Sequence, residues 1–145
     1  MFDDEEDASG ENYLKEDLER FESYLKDNET VFIDSDRLES IIDHYLVNGN
    51  YSKAKAAADM ALAHFSYNGL FSLRKAQALG GLGKLNEALD VLNSIQTFGI
   101  PSFEFFLTKA SLFSQLKDSK NAIKNYSLAI EEAEDTAALP NDTWE

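Results

Sequence analysis

The sequence has no cysteine, only two prolines and two histidines, and few basic side chains, 13 against 27 acidic ones. Lack of cysteine excludes disulfide frameworks and thiolate-held metals. No stretch approaches the ~20 apolar residues that a membrane-spanning helix needs. The opening, Met1-Phe2-Asp3-Asp4-Glu5-Glu6-Asp7, is acidic where a secretory leader or transit peptide is basic, so a cytoplasmic location is expected. Without a leader, the Asn-X-Ser/Thr triplets, such as Asn28-Glu29-Thr30 and Asn125-Tyr126-Ser127, are chance matches. A net charge of -14 repels phosphate backbones and anionic lipid, which argues against nucleic acid and membrane as partners.

What is present suits one folded domain: 145 residues, 43% of them apolar. The acid is concentrated at the front. Residues 1-34 carry 13 acids and 3 bases, whereas 35-68 are close to neutral at -1, 69-102 stand at +1 and 103-145 at -4. Residues 1-12, broken by Ser9-Gly10, are expected to be a flexible acidic tail that aids solubility rather than a cation site.

The remainder repeats itself. Ala54, Ala88 and Ala122 are spaced by 34 residues, and other columns keep that spacing: Tyr45, Leu79 and Phe113; Ile42, Ala76 and Ala110; Ala58, Leu92 and Tyr126; Ala61, Ile95 and Ala129. Such a period marks stacked supersecondary units. The units are 35-68, 69-102 and 103-136. In the first, Leu38, Ile41, Ile42, Tyr45 and Leu46 form a helical stripe, Asn48-Gly49-Asn50 closes it, and an alanine-rich second helix follows. Helix pairs of this kind cannot bury both apolar faces alone, so each must stack on the next. Asp34 or Asp36 caps the first unit, the latter in a capping box with Glu39, and Pro101-Ser102 punctuates before the third.

These residues make the chain resemble a tetratricopeptide repeat protein. The family's small eighth, twentieth and twenty-seventh places hold Ile42, Ala54 and Ala61, then Ala76, Ala88 and Ile95, then Ala110, Ala122 and Ala129. Its turn glycine is Gly49 and Gly83, but Lys117 in the last unit. The family's Trp is replaced by Leu38, Ser72 and Phe106, its seventh-place Leu is Ile41, Lys75 and Lys109, and its closing Pro is missing. The resemblance implies an all-α fold, a right-handed superhelix (α-solenoid) of three helix-turn-helix repeats, preceded by a capping helix and totalling seven helices.

The capping helix falls within 13-34. Leu14, Leu18, Phe21 and Leu25 make a narrow apolar seam, ended by Asp27-Asn28. It covers the first repeat, with dimerisation as the alternative use of a seam under two heptads long. At the other end, Pro140-Asn141-Asp142-Thr143-Trp144 reads as the start of a further helix. Residues 137-145 are thus expected to open a linker or another repeat of a longer protein. The last helix pair would then be uncapped and open to a second copy.

No catalytic constellation is visible, and neither enzyme activity, a cofactor nor a metal is expected. His44 and His64 lie on different helices without an acidic partner at ligand spacing. Gly80-Gly81-Leu82-Gly83-Lys84 lacks the spacing of a phosphate loop. The resemblance instead implies a concave groove lined by the first helix of each pair. Projected onto this chain, the groove takes Asp36, Glu39, Asp43, Leu46 and Val47 from the first unit. The second contributes Leu70, Leu73, Arg74, Gln77, Gly80 and Gly81, and the third Glu104, Leu107, Ser111, Ser114 and Gln115. Gly80 and Gly81 either let a peptide approach the backbone or let two helices pack closely. Only Arg74 would suit an acidic peptide. The expected function is a protein-binding scaffold for a peptide or protein with basic and apolar side chains; self-association and a regulatory role at the front of a longer protein are the alternatives.

Overall fold

The structure, a computed structural model, describes residues 2–95 and 100–142, with side chains for 13–95 and 100–135. Seven α-helices and no strand occur among the described residues: α1 Phe2–Asp27, α2 Ser35–Val47, α3 Tyr51–His64, α4 Gly69–Gly81, α5 Leu85–Ser94, α6 Ser102–Gln115 and α7 Ser119–Asp142. The chain is all-α. It divides into two compact units, Met1–Ser66 with α1 to α3 and Tyr67–Glu145 with α4 to α7.

Consecutive helices pair as hairpins, α2 with α3, α4 with α5 and α6 with α7. Their turns are built alike. Gly49, Gly83 and Lys117 all take positive φ, at 74°, 79° and 65°. In each turn the amide of the next residue donates to the carbonyl five residues back: Asn50 to Tyr45 at 2.8 Å, Lys84 to Leu79 at 2.9 Å, Asp118 to Phe113 at 2.9 Å. The positive-φ residue itself donates three residues back, to Leu46, Gly80 and Ser114. This is the Schellman termination, which satisfies carbonyls that a helix end would otherwise orphan. The second helix starts at a side-chain cap in two of the three pairs, α3 and α7, whereas Lys84 before α5 makes no such bond. Asn50 accepts from the Lys53 amide at 3.3 Å, and Asp118 from the Asn121 amide at 3.2 Å and the Asn121 side chain at 2.7 Å. Those Asn121 hydrogen bonds, the side-chain one foremost, hold the Asp118 carboxyl below its usual range.

Lys117 carries a side chain into the left-handed region, which costs about 1–2 kcal/mol relative to glycine. Glycine adds about 0.5 kcal/mol of unfolded-state entropy in return. Lys117→Gly is therefore expected to stabilise the second unit by about 1 kcal/mol in urea unfolding.

The small columns are buried except at Ile95, which is half-buried and falls just past the end of α5 in extended backbone. Ile42, Ala76 and Ala110 are fully buried, as are Ala54 and Ala88, and Ala122 nearly so. In the second unit, Leu73, Leu79, Leu92, Phe105 and Leu112 close around Ala76 and Ala88, with α6 packed on both α4 and α5.

Several boundaries differ from those the sequence suggests. Helix α1 begins at Phe2 and runs through Ser9-Gly10, so helix takes in the segment read as a flexible tail. Helix α7 continues through Pro140 to Asp142, where a new helix was expected to begin, while 143-145 lie outside the described residues. Asp34 is the N-cap of α2 by backbone position, with its carbonyl accepting from Leu38 at 2.9 Å and without a side-chain cap bond. The Asp36–Glu39 capping box does not form, because Asp36 is already inside the helix.

Candidate functional site

Within α2 the apolar residues Leu38, Ile41, Ile42 and Tyr45 are buried. Helical spacing therefore puts Asp36, Glu39, Asp43 and Leu46, at steps of 3, 4 and 3, along the opposite side. Asp36 is exposed, Glu39, Asp43 and Leu46 are half-buried, and Val47 at the C-terminal end is 86% exposed. Three acids followed by two aliphatic side chains thus share one face of the first unit. His44 beside them rests edge-on to the Tyr45 ring, 5.4 Å between centroids, and lies within 3.4 Å of the Asn48 amide nitrogen. That is the setting of a helix-end side chain. No group of acidic and histidine side chains among the described residues is placed to hold a metal.

The second unit distributes its expected groove residues differently. Leu73 is fully buried in the core. It does not line a groove, because α4 buries Phe71, Leu73, Ala76, Ala78, Leu79 and Gly80, too many directions for a one-sided helix. Gly80 serves packing: a Cβ there would stand 2.9 Å from Cδ2 of Leu112 on α6. Leu70 is half-buried against the same core, Gly81 is exposed, and Arg74 and Gln77 are half-buried.

Arg74 is engaged from α6. Its Nη1 donates to Oε1 of Glu104 and, at 3.0 Å, to Oε1 of Gln77. Gln77 Nε2 in turn donates to Glu104 Oε1 and to Thr108 Oγ1, each at 3.1 Å. A polar ladder therefore ties α4 to α6 and neutralises the one cation expected to face a ligand. Beyond it on α6 are Leu107, 40% exposed, half-buried Ser111, and exposed Ser114 and Gln115; Gln115 donates to Ser111 at 3.4 Å. This face is neutral to apolar.

Sequence reasoning missed the polar contacts that seat α1. Asp17, almost fully buried, receives Nε and Nη2 of Arg37 from α2 at 2.8 and 2.9 Å. That hydrogen bonding holds the Arg37 guanidinium pKa above its usual value. Arg37 also lies over the Tyr13 ring at 5.3 Å. Glu22 accepts from Lys53 of α3 at 2.6 Å and from the Tyr45 hydroxyl at 3.2 Å. The Lys53 bond draws the Glu22 carboxyl below its usual range, while burial first, and Glu22 second, push the Tyr45 hydroxyl up to about 12. A shallow cavity of about 460 Å³ lies between α1 and the following connector, lined by Glu16, Glu19, Arg20, Tyr24 and Glu29. A hydrogen bond from Arg20 to the Phe32 carbonyl, 2.9 Å, fixes that connector.

Among the described residues no helix is long and apolar enough to cross a membrane. Comparison with protein-family models, with curated proteins and with solved structures finds no match.

Proposed function

We propose that the three hairpins are tetratricopeptide units of the kind that stack into an α-solenoid. The chain then works as a non-enzymatic scaffold that binds a basic and apolar peptide segment. The 34-residue recurrence of the Gly49, Gly83 and Lys117 turns, with the same hydrogen bonds in each, supports the repeat assignment. The ligand chemistry rests on the α2 face, where Asp36, Glu39 and Asp43 stand beside Leu46 and the bare Val47. Carboxylates next to aliphatic surface favour a segment alternating Lys or Arg with apolar side chains. The ladder from Arg74 to Glu104 supports the same sign of ligand, since the cation that an acidic peptide would need is already paired with a carboxylate.

A displayed library of random peptides tests this. Sequences rich in Lys or Arg alternating with Leu or Phe are expected to be enriched. Glu39→Lys with Asp43→Lys should weaken the selected peptides about tenfold or more. Glu87→Lys with Asp90→Lys, on exposed positions of α5, changes the net charge equally and should leave binding within about twofold. Equal losses from both pairs would mean that only the overall negative charge attracts the peptide, and the assigned face would be wrong.

A further inference from the structure

The outer face of α7 carries a surface that the peptide-binding reading does not use. Ile123, Tyr126 and Ile130 are 65%, 37% and 56% exposed, spaced by 3 and 4 residues, so they form one apolar stripe. The side of α7 that packs on α6 bears Ala122, Asn125 and Ala129 instead. Counting back 34 residues from Ile123 and Tyr126 gives Leu89 and Leu92 of α5, both buried in the cluster that includes Phe105 of α6. The same helix positions are thus helix-covered in one hairpin and bare in the next.

Charge selects the occupant. Lys120, Ser127 and Glu134 follow one flank of the stripe at steps of seven, with Lys124 and Glu131 beside them, all exposed. The flank is basic toward the N-terminal end and acidic toward the C-terminal end. We propose that a second copy of the chain docks its own α7 antiparallel along this stripe, about a two-fold axis near Tyr126. In that register Ile123 meets Ile130 of the other copy, Lys120 meets Glu134, and Lys124 meets Glu131. An antiparallel two-fold pairing sets each flank against its own counterpart, so every charge finds its opposite. A parallel pairing would turn the charged flank toward the Ala122 and Ala129 side, which α6 occupies.

Two chains at -14 repel each other, but at physiological salt that repulsion is screened beyond ~8 Å, whereas pairs in contact are not. Two heptads cover less than the ~1,200 Å² of a tight complex, so association on the order of micromolar is expected.

Sedimentation velocity of the full chain from about 1 μM to about 500 μM, at physiological salt, gives the test. The mass should rise from monomer to dimer and no further. Ile123→Glu and Ile130→Glu should each raise the dimer dissociation constant at least tenfold, with the monomer's melting temperature kept. Lys120→Glu should weaken the dimer, and Lys120→Glu combined with Glu134→Lys should restore it. The two positions are ~21 Å apart along one helix, so restoration reports contact between copies. Leu25→Glu on α1 should change nothing. A monomer at every concentration, a dimer indifferent to Ile123→Glu, an unrescued double variant or a dimer lost with Leu25→Glu would each overturn the proposal.

Discussion

Phe21→Ala should lower the unfolding free energy of the first unit by about 3–5 kcal/mol. The Phe21 ring is fully buried, with its centroid 6.1 Å from Tyr24 and 5.9 Å from Tyr45 of α2. Truncation removes the one side chain of the N-terminal seam that is wholly enclosed: Leu14 and Leu18 are half-buried, and Leu25 is 41% exposed. The hole is not easily refilled, because its walls are tied. Asp17 grips Arg37 on one side of Phe21, and Glu22 holds Lys53 and Tyr45 on the other. Loss of the ring should also free Tyr45, which backbone protection measured by hydrogen exchange would report as faster opening of α1 and α2 together. A dimerisation seam predicts something else: a lower oligomer mass with monomer stability unchanged. Urea unfolding and light scattering on the same variant distinguish the two uses of α1.

The turns and the small columns were legible because they depend on local chemistry. Gly49 and Gly83 each follow a helical stripe at the point where a left-handed residue can end it, and alanine at fixed depth sets a helix-to-helix distance within one hairpin. Lys117 was placed by the period alone and takes the same backbone conformation. The seating of α1 was not legible in this way. Asp17 and Arg37 are 20 residues apart, and nothing in either neighbourhood says that two helices will cross there. An Asp on the same side as Leu14, Leu18 and Phe21 was the available signal, since a carboxylate on a buried face implies a basic partner. The extents of α1 and α7 were misjudged for a different reason. Ser9-Gly10 is a statistical breaker whose cost, about 1 kcal/mol for an interior glycine, is small enough for neighbouring helical residues to offset. Pro140, the breaker in α7, costs about 3 kcal/mol inside a helix and has no structural explanation here.

The open side of α2 was legible from its periodicity, and that of α4 was not. The acids on α2 fall opposite a strongly apolar stripe, so periodicity alone assigns their face. On α4 the same counting fails, because residues on most sides of the helix are buried and a place number no longer identifies an open direction. Arg74 and Gln77 looked like ligand contacts for the same reason that they contact α6: they project from α4 where Glu104 and Thr108 project back. A first helix flanked by the next first helix satisfies its polar side chains internally, and only the surplus is left for a partner.

Leu73 decides between the two readings of α4. As a core residue it should cost about 2–5 kcal/mol on truncation to alanine, through lost burial and the cavity left among Ala76, Leu79, Leu92 and Phe105. As a groove residue it would cost little stability and would weaken peptide binding directly. Leu107→Ala supplies the contrast, since that side chain is 40% exposed and its removal should move stability by less than about 1 kcal/mol. Urea titration of the two variants, with hydrogen exchange over 69-94 and 102-115 to locate the loss, gives opposite orders for the two readings. The larger destabilisation should belong to Leu73→Ala, and any direct loss of apolar peptide contact to Leu107→Ala. If Leu73→Ala unfolds with the wild-type midpoint, the core of the second unit is not where Ala76 and Ala88 place it. The 34-residue spacing would then no longer account for how α4, α5 and α6 meet.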